Sequence, residues 1–172
     1  MAAVTNASPL VLLGKLKKLG LLKELFGLIY MPPAVKVEVV DRGRESGAPD
    51  VFEVEKGLSE GWLKAVKLSS KQMQKVDRLM RETGLGFGEA QSLVVAKDRE
   101  LTIILDDREA RAVAEAWDLE LSGTIAVLYE AFVKSLLDYD ELVASLTELS
   151  KLMWVSTDVI AAVMKKAREV KK

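Results

Sequence analysis

The chain has 172 residues, and its 25 Lys plus Arg against 26 Asp plus Glu give a formal charge of −1 with a pI near 5.7. That fits a single domain over residues 1–172 and argues against a chain drawn as a whole to polyanions. Histidine and cysteine are both absent, which excludes zinc fingers, His-ligated metals, thiol nucleophiles, disulfide frameworks and His general bases. Any catalysis must rest on carboxylates, amines, hydroxyls or a hard metal ion.

Hydrophobic residues make up 49% of the chain and charged ones 30%, the balance of a soluble globule. No apolar run approaches the roughly 18 residues that would span a bilayer. The first apolar stretch has no basic segment before it, so no secretory signal is expected and the protein is placed in the cytoplasm with no membrane partner.

In chain order, Ala2 to Thr5 reads as a short strand. Ser8 followed by Pro9 reads as an N-cap opening a helix that runs to about Lys18 and stops at Gly20. A short helix over Leu21 to Phe26 precedes a brief apolar strand, Leu28 to Tyr30. Pro32-Pro33 then opens a helix over Val35 to about Val40. The Gly- and Pro-containing stretch Asp41 to Asp50 reads as a surface loop. A weakly helical stretch follows, then partial alternation over Trp62 to Leu68 and a helix over Lys71 to Arg81.

The loop Gly84-Leu85-Gly86-Phe87-Gly88 lacks the G-x-G-x-x-G spacing and a Walker lysine, so a nucleotide-phosphate site is not expected there. Glu89 to Lys97 is an apolar-rich helix. Leu101 to Leu105 is a continuous apolar run suited to a buried parallel strand, and Arg108 to Trp117 is again helical. Helices over Thr124 to Ser135, Asp140 to Lys151 and from Ser156 or Thr157 to the carboxyl end complete the chain. The alternation of strands and helices predicts a doubly wound α/β fold with a small parallel sheet.

Ligands of open parallel sheets bind beyond the carboxyl ends of the strands. Asn6 follows the first predicted strand and Asp106-Asp107 follow Leu101 to Leu105. Two adjacent carboxylates at the end of a buried strand call for a divalent cation, or for one of them to cap the Arg108 helix while the other is solvated. Glu89 fits either a ligand or a carboxylate steadying the amides of its own helix start. Glu38, among apolar neighbours, fits either a cleft residue or an ordinary amphipathic-helix glutamate. Arg108 and Arg111, three apart, suit phosphate oxygens or a solvated face paired with Glu115. Lys15, Lys17 and Lys18 suit the dipole at the end of the first helix.

Taken in order, Asn6-Ala7-Ser8-Pro9-Leu10, Pro32-Pro33-Ala34-Val35 with Glu38, Gly86-Phe87-Gly88-Glu89-Ala90, Leu105-Asp106-Asp107-Arg108 with Arg111, and Ser122-Gly123-Thr124 resemble the PIN domain. More closely they resemble a PIN-like branch of small bacterial and archaeal proteins related to the VapC toxins. The resemblance implies a three-layer α/β fold, a small central parallel sheet flanked by helices. It also implies a Mg²⁺- or Mn²⁺-dependent endoribonuclease. On this resemblance the family's acidic positions fall on Asn6, Glu38, Glu89 and Asp107, with Asp106 adding a carboxylate and Ser8, Arg108 and Arg111 placed for substrate.

Glu38, Glu89 and Asp107 are then the expected catalytic carboxylates, and hard cations do prefer such oxygen donors. The departure is Asn6, where the family carries an aspartate: an amide oxygen can coordinate a hard cation but brings no charge. The resemblance further implies an RNA substrate, a small antitoxin partner and a homodimer. The alternative readings are a catalytically weak or inactive PIN-like module that binds RNA or protein, and an α/β interaction module without metal.

Overall fold

Parallel pairing across four registers builds the centre of the computed structural model, which describes residues 2–170. The strands are β1 (Ala2–Thr5), β2 (Leu28–Met31), β3 (Leu63–Ala65), β4 (Thr102–Ile104) and β5 (Leu121–Ser122), and they lie in the order β3-β2-β1-β4-β5. Ala3 pairs with Ile29 on one side and Thr102 on the other. Alternation along the strands explains the layering. Ala3, Ile29, Met31, Leu63 and Ile104 enter one apolar cluster, while Val4, Ile103 and Leu105 enter a second on the opposite face.

The first cluster is covered by α1 (Ala7–Lys15), α2 (Gly20–Phe26), α5 (Val51–Glu60), α9 (Thr124–Val133) and α10 (Tyr139–Leu152), with α11 (Thr157–Val170) packed on α9 and α10. The second is covered by α6 (Ser70–Thr83), α7 (Phe87–Arg99) and α8 (Arg108–Ala116). Sheet and flanking helices form three layers, as the resemblance implies. Among the described residues no helix is long and apolar enough to cross a membrane.

Three local expectations are corrected. The first helix starts at Ala7 with Asn6 as N-cap, so Ser8 is not the cap. Proline is tolerated anywhere in a first turn, whose amides have no intrahelical partner, and Pro9 therefore does not fix the start. The expected helix over Val35 to Val40 is α3 (Pro33–Lys36) followed by a π-helical segment, Val37–Asp41. Four valines in six positions lower the α preference of that run. The expected loop after Asp41 instead continues as α4 (Arg42–Ser46), which ends at the left-handed Gly47 and is tied to α5 by the Arg44–Glu55 ion pair. The two-residue β5 carries too little periodicity to be read from sequence. The last predicted helix is described to Val170, and its expected continuation lies outside the described residues.

Candidate functional site

β1 lies between β2 and β4, so the order of the sheet reverses at the β1/β4 pair, and a crevice opens beyond the carboxyl ends of those two strands. There the chain leaves β1 at Asn6, whose amide donates to the Ile104 carbonyl at 3.3 Å. A cleft of about 460 Å³ opens at this edge, and Ser8, Lys15, Glu38, Glu89, Asp106 and Asp107 line it. Five of the eight residues predicted for the site (Ser8, Glu38, Glu89, Asp106 and Asp107) thus share one wall space.

Each carboxylate owes its place to a local device. Asp107 is the N-cap of α8, its Oδ1 accepting from the Ala110 amide at 2.8 Å. Asp106 is half-buried and engaged: its Oδ1 accepts from the Thr124 amide at 2.8 Å and its Oδ2 from the Thr124 hydroxyl at 2.6 Å. It thereby caps α9 from a distance. Glu89, in the first turn of α7, turns its carboxylate back toward the Gly86 amide. A Cβ on Gly86 would lie 2.5 Å from Glu89 Oε2, so only glycine leaves room for that return. Glu38 sits in the π-helical segment beside the buried Val39 and Val40, with Oε2 close to Gly88. Single π turns are frequent at functional sites. The positive ends of α7, α8 and α9 therefore all face these carboxylates, which offsets part of their mutual repulsion.

The offset is incomplete. Burial, then the neighbouring charges of Asp107, Glu38 and Glu109, push the Glu89 carboxyl above its ordinary value of 4.5, against the lowering effect of the Gly86 amide. A carboxyl raised in the folded state penalises folding wherever it is ionised, and the penalty fades as pH falls through the raised value toward the unfolded one. Glu89→Gln is accordingly expected to raise the thermal midpoint of the protein in EDTA at pH 7 by about 1–2 °C, since the burial and repulsion of a partly exposed carboxylate are together worth less than about 1 kcal/mol. The difference should vanish below pH 4.5. Circular dichroism melts of both proteins across pH check it, and equal midpoints at pH 7 would show that ionised Glu89 carries no net penalty in the fold.

Asn6 is 2% exposed, and its Oδ1 has no hydrogen-bond partner among the described residues. Although asparagine is a favoured N-cap, this side chain does not cap α1. It lies one residue before Ala7, which does line the cleft. A buried acceptor left unpaired costs about 1–3 kcal/mol, so a ligand for it would stabilise the fold. Glutamates, aspartates and one amide oxygen form the oxygen-only donor set that Mg²⁺ or Mn²⁺ takes. Among the described residues no three Asp or Glu close around one point at ligand distance. Mg²⁺ keeps several of its waters, so an open arrangement that includes water-mediated contacts fits it better than a dry cage would.

The two arginines stand elsewhere. Arg111 Nη1 donates to the carbonyls of Leu105 at 3.1 Å and Ser122 at 3.3 Å, fastening the ends of β4 and β5. Arg108 is exposed on α8, and neither arginine lines the cleft. The substrate role expected of them gives way, for Arg111, to a structural one, because the carbonyls at the sheet edge take up the guanidinium.

Sequence reasoning missed three residues. Lys15, assigned only to a helix dipole, brings a cation to the cleft. Gln91, buried in α7, accepts from the Ala34 amide at 2.9 Å and so holds the start of the run that carries Glu38. Ser92 donates to the carbonyl of Gly88 at 2.8 Å and lies 3.3 Å from that of Thr5, tying α7 to β1. A polar Gln-Ser pair inside an otherwise apolar helix was the available signal for the last two.

No curated protein matches the sequence. Among solved structures, a chain in the crystal structure of VapBC2 from Rickettsia felis bound to a DNA fragment from their promoter is similar, with a TM-score of 0.51 and 15% identity. The match covers 72% of this chain and 98% of that one, and at such identity it speaks for the fold. The family model described as PIN domain matches residues 2–169, from the first residue of β1 almost to the end of α11. Sheet order, the acidic cleft at its carboxyl edge and a match over nearly the whole sequence agree, and the chain belongs to the PIN domain family.

Proposed function

We propose that this protein is a toxin-type endoribonuclease that hydrolyses RNA phosphodiesters with the help of Mg²⁺ or Mn²⁺. The observation that carries the reading is the convergence of Glu38, Glu89 and Asp107 on one cleft from three separate parts of the chain, where burial first and the neighbouring charges second raise the Glu89 carboxyl. Glu38, Glu89 and Asp107 would hold the ion, directly or through water, with the Asn6 amide oxygen beneath. A bound divalent ion supplies charge neutralisation at the scissile phosphate and makes an attacking water more acidic.

The remaining work falls to the chain. Asp106, engaged with Thr124, positions the β4–α8 turn so that Asp107 faces the cleft. The Gly86 amide orients Glu89, and Ser8 offers a hydroxyl in the cleft lining. Lys15 places an ammonium where a phosphate oxygen would lie against it. A small antitoxin as partner and a homodimeric state belong to the same proposal. The antitoxin is supported by exposed apolar side chains beside the acids, Val37 next to Glu38 and Phe87 near Glu89, which a protein segment would cover.

The test is cleavage of an end-labelled single-stranded RNA pool in Mn²⁺, Mg²⁺ or EDTA. Cleavage that depends on metal supports the nuclease, and a folded protein inactive in every condition overturns it. One observation favours the second reading, a weak or inactive RNA- or protein-binding module: Asn6 lacks the charge that an aspartate would bring. Asn6→Asp separates the two. It places a carboxylate at a buried position, so in EDTA its thermal midpoint should fall, by about 1–3 kcal/mol of stability. In saturating Mn²⁺ it should gain more stabilisation than wild type, and calorimetry should show binding tightened by about tenfold or more. Unchanged Mn²⁺ affinity would place residue 6 outside the coordination sphere.

A further inference from the structure

The acidic cleft does not end at its own walls. A second groove of about 580 Å³ runs between the end of α1 and α10, and Lys15 and Leu152 line both spaces, so the two adjoin. The groove holds Lys15, Lys17 and Lys18 against Glu141 and Glu148. Both glutamates are already neutralised, Glu141 by Lys18 at 3.3 Å and Glu148 by Lys151 at 2.6 Å. Lys15 and Lys17 have no carboxylate within ion-pairing distance among the described residues and are exposed. In a chain of net charge −1, a groove with two ammoniums outside any direct ion pair thus borders the acidic cleft.

Lys17 stands at a left-handed helix ending, as Glu100, Asp118 and Ser135 do at other helix ends. It has φ 55°, the left-handed region, at the position following the helix C-cap Leu16. The Lys17 amide bonds to the Gly14 carbonyl at 2.9 Å and that of Lys18 to Leu13 at 2.8 Å, a Schellman ending in which glycine is the favoured occupant. Lysine at that ending lines the groove with its ammonium.

We propose that this groove holds the backbone of the single-stranded RNA leaving the cleft, with Lys15 on the phosphate next to the cleft and Lys17 on one further along. The inference rests on the nuclease reading and names where that substrate runs. Lysine ammoniums contact phosphates as point charges without reading bases, so the groove contributes affinity and direction and no sequence preference. Leu16, Pro49 and Ala144 give the rest of the lining an apolar surface against which riboses and bases can lie.

The test is fluorescence anisotropy with a labelled ten-nucleotide single-stranded RNA, from 50 to 200 mM KCl in Mn²⁺, in an Asp107→Asn background so that the strand is not cut. Lys15→Gln combined with Lys17→Gly is expected to flatten the slope of log affinity against log salt by about 1.4, from about 0.7 per single-strand phosphate contact, and to weaken binding roughly tenfold near 0.15 M. Lys17→Arg should restore its share. Lys17→Gly relieves a left-handed residue, so its unfolding midpoint should hold or rise while binding falls, which a purely structural role would not produce. Lys165→Gln with Lys166→Gln, on α11 away from the groove, is the charge control.

If the groove variants keep the parent slope while the parent binds RNA, this inference is overturned and the nuclease reading stands. A parent that binds no RNA at any salt overturns both. Should a polyglutamate peptide bind the parent more tightly than the RNA does and lose that affinity in the same variants, the groove takes an acidic protein segment and the RNA path is overturned.

Discussion

Asp107→Asn is expected to lower metal-dependent RNA cleavage by about 10²-fold or more while leaving the fold in place. The two halves of that statement come from the two jobs of one side chain. As N-cap of α8, Asp107 needs only an oxygen to accept from the Ala110 amide, and asparagine caps as well as aspartate does. As the proposed ligand it needs its charge, because an amide oxygen can still coordinate but brings no negative charge to the cation. The melting midpoint should therefore move by no more than a few degrees, and Mn²⁺ should stabilise the variant less than it stabilises wild type. Cleavage rates of the two proteins, purified side by side, also expose any contaminating ribonuclease. Equal rates would remove Asp107 from the site.

Asp106→Ala, one residue earlier, is expected to act mainly on stability and to cost about 3 kcal/mol, or roughly 6–12 °C in the thermal midpoint. Its carboxylate accepts two hydrogen bonds from Thr124, which is fully buried. Alanine would leave a hydroxyl and an amide of the first turn of α9 without partners and take a negative charge from the positive end of that helix. The damage would spread, because α9 packs on α2, α10 and α11. Asp106→Asn keeps an oxygen for the amide and a polar group for the hydroxyl, so it should cost less than half as much. Denaturant and thermal unfolding of the pair decide the point. A small loss for alanine would mean that Thr124 finds water in its place, and Asp106 would then return to consideration as a ligand.

These two neighbours show what local reading can and cannot supply. Both were visible as a carboxylate doublet after the most apolar strand, and both alternatives weighed for them, cation ligand or helix cap, were sound chemistry. Sequence periodicity placed the cap of α8 because cap and helix are adjacent in the chain. It had no access to Thr124, eighteen positions on, whose approach depends on where β5 pairs. The same holds for Arg111: three residues from Arg108 on one helix face, the pair looked like a phosphate clamp. The carbonyls that capture Arg111 belong to two strand ends that meet only in the folded sheet. Glu38 was placed in the right helical run, yet the π-helical segment that presents it has no periodicity of its own to read.

By itself the sequence determined that the chemistry must be that of oxygen donors and amines, since it has no histidine or cysteine. It also determined the alternation of strand and helix and the order of the acidic motifs, because apolar period and capping residues are local properties of the chain. Only the tertiary structure decided that β4 lies beside β1, bringing Asn6 and Asp107 to one edge across about a hundred residues, and that Lys15 turns toward those acids. Pairings of that range are fixed by which buried faces close on one another, a property of the whole core and of no single segment.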